Sequence, residues 1–394
     1  MRSGFFIALL MVIMLPDGGF AQPRYFADTT FFTGDPAIES VIRYRITDGD
    51  TVKQGRARFF YLTGQRWQLG RYENGLMDSC WTTWDPGGKI KRKVRYSEGK
   101  RNGHFVNFFH NGRIGSEGFY LDGELYGIML IYYQTGQLKE KRVYNRNLLN
   151  GLVVGYFPEG NLNYRINYVD SIQNGIYEKY YASGQLKEKT MAHGQRFYDA
   201  YISYYENGQV EKEYGYRNFN IDGPYRAYYD NGQLRIKADY DRGKIVGTWK
   251  QFHKNGALFE TGDYRNGKRH GAWLTWYPDS VIYMKGKYAN GLADGLWEVF
   301  HRNGELKQTG SFRQGLAQGK WQFFHENGRI RSRGHYVDDE ENGHWVHYHP
   351  NGELKLDLYY SNGKFNGILT AFDEEGNVLE KAEYKDNQMI RRIR

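Results

Sequence analysis

Aromatic and apolar positions return along this chain every 24 residues, always in the same order. From Gly247 the unit opens with a ring-rich run (Trp249, Phe252, His253), breaks at Asn255-Gly256, and resumes at Leu258 and Phe259. It then reaches Tyr264 and breaks again at Asn266-Gly267. Short apolar stretches bounded by such residues read as strands joined by turns, so each unit predicts one β-hairpin. Asn and Gly tolerate positive φ and therefore suit a tight turn between paired strands. Side chains alternate along a strand. By parity Leu258, Gly262 and Tyr264 point to one face, predicted to be the packed one, and Phe259 and Thr261 point to the other.

The same phrase begins again at Gly271, Gly295, Gly319, Gly343 and Gly367, and backward at Gly223, Asp199, Gly175, Gly151, Gly127, Gly103, Ser79 and Gly55. That is 14 units with no insertion or deletion. With the leading residue as position 1, position 6 is aromatic in all 14 units, from Phe60 and Trp84 to Tyr348 and Phe372. Position 10 is Gly in 13 of them, Ser280 excepted, and position 18 is aromatic in 13, Ala192 excepted. A fixed period of this kind marks a repeat array, in which a unit that is marginal alone is stabilised by its neighbours. The predicted fold class is all-β: an elongated single-layer antiparallel β-hairpin array, without helical periodicity and without a linker that would divide it.

The unit can be written Gly-x-Trp-x-x-aromatic-aromatic-x-Asn-Gly-x-Leu followed by Gly-x-Tyr-x-x-Gly. In this form it resembles the MORN repeat, and more closely its bacterial variant, over about residues 55–394. The resemblance implies an extended antiparallel sheet with a binding or scaffolding role. Some bacterial relatives carry an antitoxin label, which makes an antitoxin-like inhibitor one alternative.

The ends of the chain depart from the pattern. Residues 1–21 read as a secretory signal peptide, with Arg2 as the positive start, an apolar core from Phe5 to Leu15, and Gly19-Phe20-Ala21 as a small-x-small site before Gln22. The core is short for a membrane span. The expected localisation is therefore exported: periplasmic, outer-surface or secreted. Residues 22–54 lack the full phrase and read as an N-terminal cap, with a strand at Val41–Thr47. Residues 55–394 hold the fourteen repeats and close on a short basic stretch with Lys385, Arg391, Arg392 and Arg394. Cys80 is the one cysteine, so no internal disulfide forms.

A net charge of +9 directs attention to acidic partners. Fifteen bases fall at positions 13 and 15: Lys91, Lys93, Lys139, Lys141, Arg165, Lys187, Lys189, Arg235, Lys237, Lys285, Lys307, Arg331, Arg333, Lys355 and Lys381. The same positions hold four acids, Glu117, Glu211, Glu213 and Asp357. By parity both positions share the face opposite Leu and Tyr, so the bases form a stripe suited to an extended anion. The expected partner is a protein or an anionic envelope component, a lipid headgroup or a glycan. The competing reading is a solvated face that deters edge-to-edge pairing.

Three further readings follow from residue type. His253, His301, His325 and His349 take position 7, where other units have Tyr or Phe. Metal binding is one possibility, but equivalent positions in successive repeats are about 10 Å apart, too far to share an ion. The row is expected to replace Tyr ring for ring, with no metal and no cofactor. Rings exposed along one face would suit a carbohydrate-binding module, against the alternative that they pack hairpin on hairpin. No phosphate loop, nucleophile elbow or HExxH stands out from the repeat, so no catalytic residue is assigned and a non-enzymatic protein is expected. An exported protein seldom meets nucleic acid, and none is expected as a partner.

Overall fold

The computed structural model describes residues 23–47, 49–194, 196–197 and 200–393. The expected signal peptide, the unit start at Asp199 and Arg394 lie outside the described residues. Strands and turns account for the described structure, with no helix among these residues. The chain forms two compact units, the first ending at Leu148 and the second running from Leu149 to the C-terminus. In each, consecutive strands pair antiparallel, hairpin after hairpin, into one open layer. The repeat array predicted by the 24-residue period is therefore present in both units.

One hairpin serves for all. Strands Lys244–Phe252 and Leu258–Arg265 pair Gly247 with Tyr264, Trp249 with Gly262 and Gln251 with Glu260. Phe252 then pairs with Leu258, so Phe259 at position 13 is an extra residue with no partner. The same shift sits between positions 5 and 6 of other hairpins, at Phe59/Phe60, Asn107/Phe108 and Phe323/Phe324. This is a β-bulge, which leaves one residue unpaired and resets the alternation of faces.

The two turns differ from each other. At Asn266-Gly267 both residues have positive φ, 53° and 77°, and Arg265 pairs with Lys268: a two-residue turn of the kind Asn-Gly favours. At Asn255-Gly256 only Gly256 is left-handed, with φ of 87°. There the His253 amide donates to the Ala257 carbonyl and the Gly256 amide to the His253 carbonyl. Asn255 contributes its side chain instead. Its Oδ1 accepts from the Ala257 amide at 3.0 Å, and its Nδ2 donates to the Pro278 carbonyl of the next repeat at 2.9 Å. Asn207, Asn231, Asn303, Asn327 and Asn351 do the same. A residue selected for a turn thus also joins successive repeats.

A single layer has no second sheet to pack on, so apolar burial must come from neighbours along the layer. Trp273 supplies it by lying flat on Gly262 of the preceding repeat: a Cβ there would stand 2.2 Å from its ring. Trp81 covers Gly70, Trp297 covers Gly286, Trp321 covers Gly310 and Trp345 covers Gly334 in the same way. Where the covered residue is larger, the covering ring is smaller, as in Val94 with Phe105, Ile166 with Tyr177 and Tyr214 with Tyr225. Between the tryptophans stand the rings of position 18. Tyr264, Trp273, Tyr288, Trp297, Phe312, Trp321, Tyr336, Trp345 and Tyr360 form an unbroken edge-to-face ladder, with centroids 5.1–6.1 Å apart and planes at 73–89°. Each such contact adds about 0.5–1.5 kcal/mol beyond area burial. The four tryptophans within it are 2–7% exposed.

The N-terminal residues close the layer with a hairpin of their own, Arg24–Phe31 against Ile38–Thr47. Its Ile42 pairs with Ala57, and both are buried with Trp81. At the other end Gln388–Arg392 pairs with Val378–Lys385 and is exposed throughout. Arg391 and Arg392 pair there with Glu383 and Glu380 at 2.7 and 3.2 Å.

Gly310→Ala places a methyl 2.0 Å from the Trp321 ring, which is held between Phe312 and Tyr336 and cannot yield cheaply. A loss of about 1–3 kcal/mol or more is expected in urea denaturation. The same change at Gly319, where nothing lies within 4 Å of a Cβ, tests backbone strain alone, since φ there is 73°.

Candidate functional site: the face opposite the rings

The bulge decides which bases share a face. On the outgoing strand positions 3 and 5 point to the ring side, and the ladder pairs them with positions 16 and 14. Positions 4 and 6 point away and pair with 15 and 12. Position 13, unpaired, turns toward the ring side. There Lys139, Lys187 and Arg235 sit over the position-7 rings of Tyr133, Tyr181 and Tyr229 at 5.6, 5.3 and 6.0 Å, and Arg331 over Phe323 at 5.7 Å. Position 15 lies on the opposite face. Lys189, Lys285 and Arg333 rest over Tyr204, Phe300 and Tyr348, the position-6 rings of the next repeat, at 5.9, 5.2 and 5.8 Å.

The expectation that positions 13 and 15 form one stripe is therefore corrected. By repeat position Lys91, Lys139, Lys187, Arg235, Lys307, Arg331 and Lys355 belong to the ring side. Lys93, Lys141, Arg165, Lys189, Lys237, Lys285, Arg333 and Lys381 belong to the opposite face. Leu258 joins this second group, with Thr261 and not with Gly262 and Tyr264. Parity counting fails because it assumes one residue per pleat, and the bulge adds one. Two of the position-15 bases are matched by acids across the strand, Arg165 by Glu178 at 3.2 Å and Lys285 by Glu298 at 2.9 Å.

In the first unit this face carries a denser group that counting at positions 13 and 15 misses. Arg56 stands directly opposite Arg71, Arg58 lies between Val41 and Leu69, Arg95 is opposite Cys80, and Lys93 is opposite Thr82. Arg43 belongs with them, its guanidinium 4.7 Å from the centre of the Tyr25 ring. Like charges placed directly opposite are destabilising. Arg71 has two acids beside it: Glu73 at 3.0 Å, in an exposed pair that contributes little, and Asp78, its direct partner on the next strand. The glycines at position 1 make room for these arms: a Cβ on Gly55 or Gly103 would meet the Cδ of Arg43 or Arg95 at 3.1 and 3.3 Å. The signal was present in the sequence, at positions 2, 4 and 17. Beside the arginines the same face exposes Phe119, its cross-strand partner Tyr126, and Ile128.

The histidine row has a structural task. His253, His301, His325 and His349 each place Nε2 3.0–3.1 Å from the position-6 carbonyl of the next repeat. Tyr61, Tyr181, Tyr205, Tyr229 and Tyr277 donate their hydroxyls to the same carbonyl at 2.9–3.1 Å. His replaces Tyr because both carry a ring and a donor to that point. No group of three or more potential metal ligands is assembled among the described residues. His347, on the ring side, lies against Trp345 with ring centroids 6.3 Å apart. Burial, and then the charges of Arg331 and Lys355, hold its pKa below the usual 6.5.

A one-layer sheet of hairpins joined through rings and turn side chains, with one face occupied by packing, defines a repeat scaffold of the binding type. The chain belongs to the MORN repeat variant family, which matches residues 125–146, 149–170, 173–191, 200–218, 221–242, 245–266, 293–314, 317–338, 341–364 and 365–386. The repeats before residue 125 and the one between residues 267 and 292 fall outside these matches, yet they form the same hairpins, and Trp81 on Gly70 and Trp297 on Gly286 make the same ring-on-glycine contact there. Among the curated proteins none matches the chain.

Solved structures with similarity include the TcdB2-TccC3-Cdc42 complex, at 11% identity over 89% of this chain and 23% of that one, with a TM-score of 0.15. Another is the Tc holotoxin pore of Photorhabdus luminescens, at 11% identity over 90% and 26%, with a TM-score of 0.14. The chain spans about a quarter of the length of these matched chains.

His301→Phe removes the donor to the Phe324 carbonyl and is expected to cost about 1 kcal/mol, whereas His301→Tyr keeps the bond and most of the stability. Urea denaturation of the two variants separates these outcomes. For His347 the fold favours the neutral ring, so the unfolded chain takes up a proton first as pH falls. Stability is expected to decline below about pH 6.5, and His347→Phe, matching Phe323 one repeat earlier, should reduce that decline in melts at pH 7.5 and 5.5.

Proposed function

We propose that this chain is an exported, non-enzymatic binding protein that holds an extended acidic component of the cell envelope against the face opposite the rings. The observation that carries the reading is the arginine group of the first unit: Arg56 directly opposite Arg71, with Arg43, Arg58, Lys93 and Arg95 on the same side. Self-repulsion of this kind is relieved when a polyanion spans the guanidiniums, whose planar forks suit phosphate and carboxylate groups. The bases of position 15 in the second unit add the same charge on the corresponding face. Family membership supports a binding or scaffolding role in general. Export rests on the signal-like N-terminus.

The carbohydrate-binding alternative draws on exposed rings, but most rings of positions 3 and 18 pack on one another. An acidic glycan still fits the main reading, through its charge. No observation favours the antitoxin-like alternative.

The test uses dextran sulfate as an extended anionic probe on mature protein from Gln22 onward. The combined variant Arg56→Gln, Arg58→Gln, Arg71→Gln is expected to lose about tenfold or more in affinity. The combined variant Lys139→Gln, Lys187→Gln, Arg235→Gln on the ring side should bind like the parent. Binding by the parent should weaken steeply between low and high salt. Equal binding by the parent and the arginine variant would overturn the proposal.

A further inference from the structure

Within the second unit one repeat breaks the pattern on the face opposite the rings. Lys320 pairs with His335 across strands Leu316–Phe324 and Ile330–Val337, and Gln322 pairs with Arg333. Directly paired residues point to the same side of a sheet, about 5 Å apart. Four nitrogen-bearing side chains therefore stand as a square. The next strand, Glu340–Tyr348, adds His344 and Val346, the latter opposite Arg333. Together they line an open bowl of about 750 Å³ whose floor is formed by Trp321 and Gly334. That floor is held from behind, because Trp321 and Trp345 are locked in the ring ladder on the other side.

The composition of the bowl is particular to this repeat. In the preceding repeat the equivalent square is Leu296, Glu298, Thr309 and Ser311, and in the following one His344, Val346, Asp357 and Tyr359. Only in the repeat from Gly319 do these three successive squares combine Lys, Arg, His and an amide without an acid. Asp357, across the strand from Val346, is engaged by His344 Nε2 at 2.7 Å. Arg333 offers a planar fork, Lys320 a point charge, and His335 and Gln322 further donors.

We propose that this bowl binds a phosphate monoester carried on a small polar body. Three terminal oxygens with a charge near −2 match converging donors of this number and sign better than the two oxygens of a carboxylate. The volume exceeds that of phosphate and falls in the range of small-molecule sites, so the group bearing the phosphate is accommodated as well. A soluble sugar phosphate and a lipid headgroup both present this chemistry. The site lies wholly in the second unit and does not depend on the arginine face of the first.

The experiment titrates the mature chain with glucose 6-phosphate, with glucose, and with vesicles containing phosphatidate, by calorimetry and by vesicle flotation. Saturable binding of glucose 6-phosphate but not glucose assigns a soluble source. Binding to phosphatidate vesicles without glucose 6-phosphate binding assigns a headgroup. In either case Arg333→Gln and Lys320→Gln should each weaken binding about tenfold. Both side chains are exposed, and unchanged melting temperatures verify the fold. The combined arginine variant of the first unit should bind glucose 6-phosphate like the parent while losing dextran sulfate, so failure of one site is distinguished from failure of the other. Absence of saturable binding to both phosphate probes, or equal binding by the parent and Arg333→Gln, overturns the proposal.

Discussion

A tryptophan lying flat on a glycine is the contact on which this molecule depends. A sheet of one layer cannot bury residues between two sheets, so it buries them along itself. Trp81, Trp273, Trp297, Trp321 and Trp345 each cover the bare backbone of the repeat before them, and the tyrosine or phenylalanine of position 18 closes against the indole edge. The geometry is exclusive: a methyl on the glycine and the ring above it cannot occupy the same space. Turn side chains reinforce it, since the ring at position 7 and the Asn at position 9 both donate to carbonyls one repeat ahead. These bonds and rings couple each hairpin to the next, which suits a nearest-neighbour repeat architecture.

The same arrangement leaves the other face with little packing duty. With the indoles committed to the ring side, side chains on the opposite face are free to be chosen for charge. In the first unit that freedom is used for arginines that would not be placed opposite one another for stability alone. In the second unit it is used more sparingly, with two of the position-15 bases matched by acids and one repeat furnished with a cationic bowl. The bulge at position 13 is the device that sorts the bases, sending one of every pair back over the turn rings and keeping the other on the open face.

Much of this was legible in the chain. The period, the hairpin and the place of both turns follow from where Asn, Gly and rings recur. Three things were not. A bulge adds a residue without marking the sequence, so Lys187 and Lys189 look like neighbours on one face when they are on opposite ones. The partnership of Gly262 with Trp273 is written in the repeat, but only the strand register shows that the ring belongs to the glycine of the preceding repeat. Arg56, Arg58 and Arg71 do not stand out in the chain because their positions are basic in only a few repeats, whereas positions 13 and 15 are basic in many. That His substitutes for Tyr at position 7 is visible in the sequence, but its reason, a donor at a fixed reach, is visible only with the carbonyl it meets.

The measurement that bears most directly on a two-faced sheet, one face for packing and one for ligand, is amine labelling read by mass spectrometry with and without saturating dextran sulfate. The account predicts that Lys93, Lys141, Lys189, Lys237, Lys285 and Lys381 are protected by the ligand, while Lys91, Lys139, Lys187, Lys307 and Lys355 react as they do in the free protein. Equal protection of both sets, or protection of the second set alone, would contradict it.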